Sequence, residues 1–392
     1  MNEMTLRRDF RNLLIIAGVY ALGISLSNTF VNIFIWKQYN DLLVLGYFNA
    51  IVFLAQLIGT LFAGKLAKLN DRVFVLRLGV IFYTLFYIAV LLTKNWPVEK
   101  IILLGILLGV GGGFYWLSFN LLCFEVTSPE TRDRFNGTAG MLASSGTLIG
   151  PMTSALIINR FNQNGYYFVF ILSLILFIVA SVFSIFLHRR KKMGSYQLKV
   201  AREASKQIKP FRLIIWSNFF QGLREGVFAF TITTYIYMVT TNELDIGKYM
   251  LINSILSIIF YYIVSKYLKV KYRKKSILLG AVFLFVSLFL LIGNVSYGSF
   301  IIYSIVIAIM YPFLLVPFQS ISYDIIGQLP NLEEYRLEYI VWKQLYLNGG
   351  RLASVLFYLV VVAIFPVKLA LSIVLLVLGS GHSIIYLLVK KL

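Results

Sequence analysis

The sequence predicts an all-α membrane protein whose twelve transmembrane helices form two parallel six-helix repeats. Three observations lead there. First, the 392 residues are 59% hydrophobic and 13% charged, with mean hydropathy +0.82, outside the range of a soluble domain. Second, the apolar runs are about twenty residues long, as a spanning helix requires, and lack the alternation of barrel strands. Third, the chain repeats itself. Gly46, Lys65, Lys68, Arg72 and Gly79 recur 201 residues later as Gly247, Lys266, Lys269, Arg273 and Gly280. At a spacing of 199, Gly23 falls on Gly222 and Phe124-Glu125-Val126 on Tyr323-Asp324-Ile325. A duplicated polytopic chain is the architecture of secondary transporters, whose halves rock about a central site.

The spans are read at 12–36, 42–64, 74–94, 100–124, 136–158, 165–188, 212–238, 246–265, 276–294, 298–323, 338–364 and 366–389. The first run is too long for a signal-peptide core and no small-residue cleavage pattern follows it, so it should remain as a span. Residues 1–188 form one bundle and 211–392 the other. Between them, 189–210 is a basic linker whose Leu198, Val200, Ala201, Ala204 and Ile208 are spaced like one helix face. It reads as an interfacial helix or a solvated linker.

Net charge is +20, but its placement argues against nucleic acid. Most of the Lys and Arg fall in the even-numbered loops and the termini, including Arg189-Arg190-Lys191-Lys192. This positive-inside bias places both termini in the cytoplasm of a cell membrane, beside an anionic inner leaflet. One cysteine and two histidines exclude an intrachain disulfide and offer no metal constellation. No nucleophile–base pair or nucleotide-binding loop is evident, so neither an enzyme nor a cofactor is expected. Gly109, Gly111, Gly112 and Gly113 lie inside a span, where they suit close packing or a cavity-lining helix rather than a phosphate loop.

Two motifs carry a family resemblance. The loop after span two runs Gly64-Lys65-Leu66-Ala67-Lys68-Leu69-Asn70-Asp71-Arg72. Span five carries Gly137, Gly146, Gly150 and Pro151, then Ser154-Ala155. The first resembles the Gly-x-Leu-Ala-Asp-Arg loop of the major facilitator superfamily, with Lys68 in place of the usual acid. The second resembles the span-five signature of that superfamily's drug/proton antiporters, with its last two glycines replaced. The resemblance implies the superfamily fold, a monomer, and an inner gate in which Arg72 pairs with Glu125 and Arg273 with Asp324. Gly64 would permit the loop's turn, Asp71 would add to the gate, and Gly-Pro would let span five bend. The place matching the hinge in the second half is Gly350-Arg351, so that chemistry is not duplicated. The sugar-transporter pattern after span six is absent.

The charged centre lies in span seven, where Arg224 is ~18 Å from the inner start of a ~30 Å core. Neither Arg224 nor Glu225 tolerates lipid, so each needs a partner on another helix. Span eleven offers Lys343, Gln344, Asn348 and Arg351. Asn28, Asn32, Gln56, Asn120, Gln221 and Gln319 are further polar candidates for a substrate cavity, with Tyr115, Trp116, Tyr311 and Trp342 as aromatic walls. Glu225 is the proton-carrier candidate, protonated by desolvation or ionised by Arg224 or Arg351. The expected function is proton-coupled export of small amphipathic molecules. Two alternatives stand beside it: an organic-anion or lipid-headgroup transporter using Arg224 and Arg351, and a transporter-like sensor that moves nothing.

Overall fold

The computed structural model describes residues 3–92, 98–188, 195–293 and 295–392; the basic run 189–192 lies outside them. The first bundle comprises α1 (Glu3–Tyr39), α2 (Leu42–Leu69), α3 (Arg72–Leu92), α4 (Val98–Val126), α5 (Pro129–Phe161) and α6 (Gln163–Ser184). A linker helix, α7 (Leu198–Gln207), precedes the second bundle. That bundle comprises α8 (Lys209–Thr240), α9 (Glu243–Tyr267), α10 (Arg273–Val286), α11 (Tyr297–Ile326), α12 (Leu332–Ile364), α13 (Val367–Gly379) and α14 (Gly381–Val389). Hydrocarbon forces every spanning backbone to satisfy its own hydrogen bonds, and helices do so.

Eleven described spans are long and apolar enough to cross a membrane. Helix α8 is as long as the others, but Asn218, Gln221, Arg224 and Glu225 at its middle dilute its hydropathy. On α2, Tyr47, Leu54, Ile58 and Phe62 are exposed at helical spacing, a stripe suited to lipid.

Two expected spans are present with internal irregularities, and one further expectation needs correcting. The twelfth span is two helices, α13 and α14, meeting at Ser380. The ninth tightens from α10 into a 3-10 segment over Ser287–Leu291. These irregular places touch, since a Cβ on Gly379 would lie 2.2 Å from Leu288 Cδ1. Gly64 serves no turn. It lies within α2, close to Val341 of α12 and the Tyr196 hydroxyl of the linker.

The duplication extends into the backbone beyond the matched residues. Asn40 and Thr241 both adopt positive φ, at 48° and 53°. Asp41 and Asn242 follow with the same φ of −133° and ψ of 121°, each side chain accepting the N–H of the residue two positions on. Thus α2 and α9 begin with one turn design. The matched Gly46 and Gly247 both serve the seam between bundles, against Tyr358 and Leu359 of α12 and against Met152 and Ala155 of α5. The seam consists of α2 along α12 and α5 along α9.

Small residues also set the crossings within each bundle. Gly146 and Gly150 of α5 meet the α1 backbone at Ala21–Leu22 and Ser25–Leu26. Gly222 of α8 meets Leu347 of α12, and Gly350 of α12 meets Phe219 of α8. Close approach is therefore duplicated, while the Gly-Pro hinge is not, Arg351 standing where Pro151 would recur. Gly137 instead abuts Ser265 of α9. Every glycine of the span-five motif sits at a helix contact.

Candidate functional site

The end of the molecule bearing the α2–α3 turn, the α4–α5 turn and α7 carries most of the described basic side chains and is termed the basic end. Arg72, at the start of α3, pairs with Glu125 at the end of α4 at 3.0 Å; Arg273, at the start of α10, pairs with Asp324 near the end of α11 at 2.7 Å. Both expected pairs are present, and each carboxylate takes a second arginine from the opposite bundle. Arg336 of α12 lies 3.8 Å from Glu125, and Arg132 of α5 lies 2.5 Å from Asp324. Arg273 also reaches Asp133 of α5 at 2.5 Å. The guanidiniums of Arg132 and Arg336 lie over the Phe124 ring. Asp71 accepts the Val73 N–H at 3.3 Å and so stands at the α3 start.

A further pair crosses the seam. Lys68 and Glu338 lie 2.9 Å apart with both side chains fully buried, and Glu338 also accepts the Gln197 N–H of the linker. Linker helix α7 packs on α8 and α12 with Ala201 and Ala204 buried. Beside it, burial and the Glu338 charge push the Tyr196 phenol up to about 12.

A cavity of about 390 Å³ lies between the bundles. Its two walls differ. The first bundle contributes Tyr20, Tyr115, Trp116, Phe119 and Phe135, interspersed with alanines; Tyr20 stacks on Tyr115 at 3.6 Å. The second contributes the charged groups Glu225, Lys343 and Arg351 and three glutamines, set among apolar and aromatic side chains such as Tyr261, Val316 and Leu347. Asn120 also lines the cavity and accepts the Tyr323 hydroxyl at 2.6 Å.

Glu225 holds three partners. Arg351 Nη2 donates at 2.7 Å, Gln221 Nε2 at 2.6 Å and the Tyr311 hydroxyl at 3.2 Å. The network continues in both directions. Lys343 donates to Gln319 at 3.3 Å, and Gln319 to Gln221 at 3.3 Å. Arg351 donates to Asn348 at 3.3 Å, and Asn348 to Thr60 of α2 at 3.0 Å. One polar chain thus runs from Lys343 through Glu225 to the seam.

Several expected cavity residues lie elsewhere. Asn32 accepts from Asn49 at 2.9 Å and donates to the Asn28 carbonyl, tying α1 to α2. Gln56 packs beside Gly112, Trp342 meets Tyr346 edge-on, and Asn348 serves the seam. Arg224 is absent from the lining. It is 5% exposed, donates to the Tyr303 hydroxyl at 3.4 Å and lies over Phe228. The reason is angular, since adjacent helix positions differ by about 100° and Glu225 takes the cavity face. Sequence reasoning assigned no role to His382, which is fully buried and stacks on Tyr311. It also passed over Arg132, Asp133, Arg336 and Glu338, whose partners are far away in sequence.

At the opposite end, Lys37 of α1 pairs with Glu243 of α9 at 2.8 Å, and Tyr166 donates to the same carboxylate at 3.2 Å. The cavity therefore lies between two sets of contacts that join the bundles.

The Major Facilitator Superfamily model matches residues 13–330. The chain belongs to the major facilitator superfamily. It is 45% identical over 394 residues to the uncharacterized protein YqgE of Bacillus subtilis (strain 168), covering 100% of this chain and 91% of the relative. The human organic anion transporter MFSD10 (TETRAN) superposes with TM-score 0.73 at 12% identity, covering 99% of this chain and 100% of that one. A bacterial homologue of the iron transporter ferroportin, in an outward-facing state, gives 0.72 at 15%, covering 98% and 99%. At those identities the likeness is one of fold. Membership of the superfamily makes this a multi-pass membrane protein with a transporter fold.

Proposed function

We propose that this superfamily member is a secondary transporter that exports small amphipathic molecules across the cell membrane in exchange for protons. The two-walled cavity is the observation that carries the reading. An aromatic wall suits an apolar body and the opposite polar wall a hydrophilic end, while water-sized side chains such as alanine leave room between them. Glu225 is the one carboxylate among the described lining residues. A carboxylate at membrane depth that faces a cavity is a functional group by default, and Glu225 is the proton carrier of this reading.

The basic end is assigned to the cytoplasm, against anionic lipid, by its excess of Lys and Arg. In this reading α2–α12 and α5–α9 are the rocking seam, and the cross-bundle ion pairs at the two ends would open in alternation. Gly150-Pro151 in α5 supplies the bend, and the unit works as a monomer. An anion held by Arg224 and Arg351 fits less well, because Arg224 lies outside the cavity and Arg351 is engaged by Glu225. Nor do the intact gate pairs favour a sensor that has lost movement.

The test is made in proteoliposomes loaded with a pH-sensitive dye and offered amphipathic compounds of each charge. Substrate-dependent proton movement supports the reading. Movement of substrate without protons would reduce it to facilitated transport.

A further inference from the structure

Lys343 is 1% exposed and lines the cavity, yet all of its described partners are neutral. Its ammonium donates to the Gln319 side-chain oxygen at 3.3 Å and lies 4.3 Å from the centroid of the Tyr323 ring. No described carboxylate lies within ion-pair distance of it. Glu338, five residues earlier on α12, is taken by Lys68. Glu225 is taken by Arg351. Asp324 is shared between Arg132 and Arg273. Among the charged groups lining the cavity, Glu225 and Arg351 cancel and Lys343 is left over.

A buried ammonium with neutral partners is costly. A ligand of opposite charge would complete such a site. We propose that Lys343 anchors a single negative charge on the transported molecule, which makes the substrate an amphipathic organic monoanion. This rests on the transport reading and narrows it. The anion would sit toward the basic end, between Lys343, Asn120 and Gln344, with its apolar body along Phe119, Trp116 and Tyr115. A dianion would leave one charge uncompensated, and a cation would meet Lys343 with no free carboxylate nearby. Binding would also draw the ammonium from Gln319, the first link of the chain to Glu225. Substrate arrival would thereby reach the proton site through two glutamine side chains.

The test is equilibrium binding to the purified full chain in detergent. The probes are phenylbutyrate, phenylbutylamine and phenylbutanol, which share one apolar body and differ in charge. Wild type is expected to take the anion about thirtyfold more tightly than the amine, the size of effect a buried charge contact supplies. Lys343→Gln should erase that preference, and Lys343→Arg should keep it. Equal affinity for anion and amine in wild type, or phenylbutyrate binding unchanged in Lys343→Gln, would overturn the anchor while leaving the amphipathic cavity standing. If the glutamine variant does not fold, the charge preference of wild type decides alone. Failure of all three probes to bind wild type would overturn the cavity reading and the anchor with it.

Discussion

Arg351 holds Glu225 at 2.7 Å across the α8–α12 crossing, and the same guanidinium donates to Asn348, which bonds Thr60 in the opposite bundle. One cavity carboxylate is thus linked, side chain by side chain, to the seam. Neutralising Glu225 frees Arg351 to move, and any movement is felt at Asn348. Under the proton-exchange reading, this chain of contacts would be the route from Glu225 to the seam.

Asp324→Asn removes the acceptor shared by Arg132 and Arg273 and should loosen the basic end. The protein carries its own reporter, because Cys123 is its only cysteine and lies in the cavity lining, 3% exposed. Maleimide labelling of Cys123 should rise roughly tenfold, since removing one partner leaves buried guanidiniums uncompensated. An unchanged rate would mean the shared carboxylate does not hold the end shut.

The Lys68–Glu338 pair is fully buried, so Glu338→Gln should cost ~3–5 kcal/mol by stranding the ammonium. Combining it with Lys68→Met should recover part of that loss. The Lys248–Asp245 pair is far more exposed, at 56% and 20%, and Asp245→Asn should change stability by less than about 1 kcal/mol. Thermal unfolding in detergent compares the three.

A Cβ on Gly222 would lie 2.0 Å from the Leu347 carbonyl oxygen and 3.0 Å from the Arg351 nitrogen. Gly222→Ala should therefore push α8 from α12 and cost ~1–3 kcal/mol. At Gly298 the nearest atom is Ser296 Oγ at 3.6 Å. There an alanine fits, and helix propensity should yield a gain of about 0.5–1 kcal/mol. Unfolding midpoints of the two variants should move in opposite directions.

Docking of the linker should weaken in alkali. The Tyr196 phenol, ordinarily at 10.0, is pushed up to about 12 by burial and the Glu338 charge. Folded pKa above unfolded pKa means the contribution is whole below about 10 and is lost as pH rises towards 12. Proteolysis within the linker should accelerate over that window, and Tyr196→Phe should remove the dependence.

The fold was legible because its signals are extensive: long apolar runs, charge asymmetry and a repeat whose glycines return at equivalent helix contacts. Gate pairs within one bundle were legible for the same reason, since Arg72 with Glu125 has a counterpart in Arg273 with Asp324. Cross-bundle partners were hidden. Nothing near Arg132 or Lys68 in the chain announces Asp324 or Glu338, which only the closing of the two bundles brings together. Polar residues inside spans were ambiguous for a different reason. Asn32 and Asn348 satisfy themselves on neighbouring helices, whereas Gln221 and Gln319 face the cavity, and hydrocarbon permits both solutions. Arg224 and Glu225 look equivalent in sequence, but helix geometry sends them to different surroundings.

The most direct test of the central claim compares wild type with Glu225→Gln in proteoliposomes, measuring uphill transport driven by a pH gradient and substrate exchange without one. The account predicts that the variant loses gradient-driven accumulation and keeps exchange, because the cavity remains while its proton site is gone. Accumulation at the wild-type rate in Glu225→Gln would contradict it and leave Glu225 as a structural partner of Arg351.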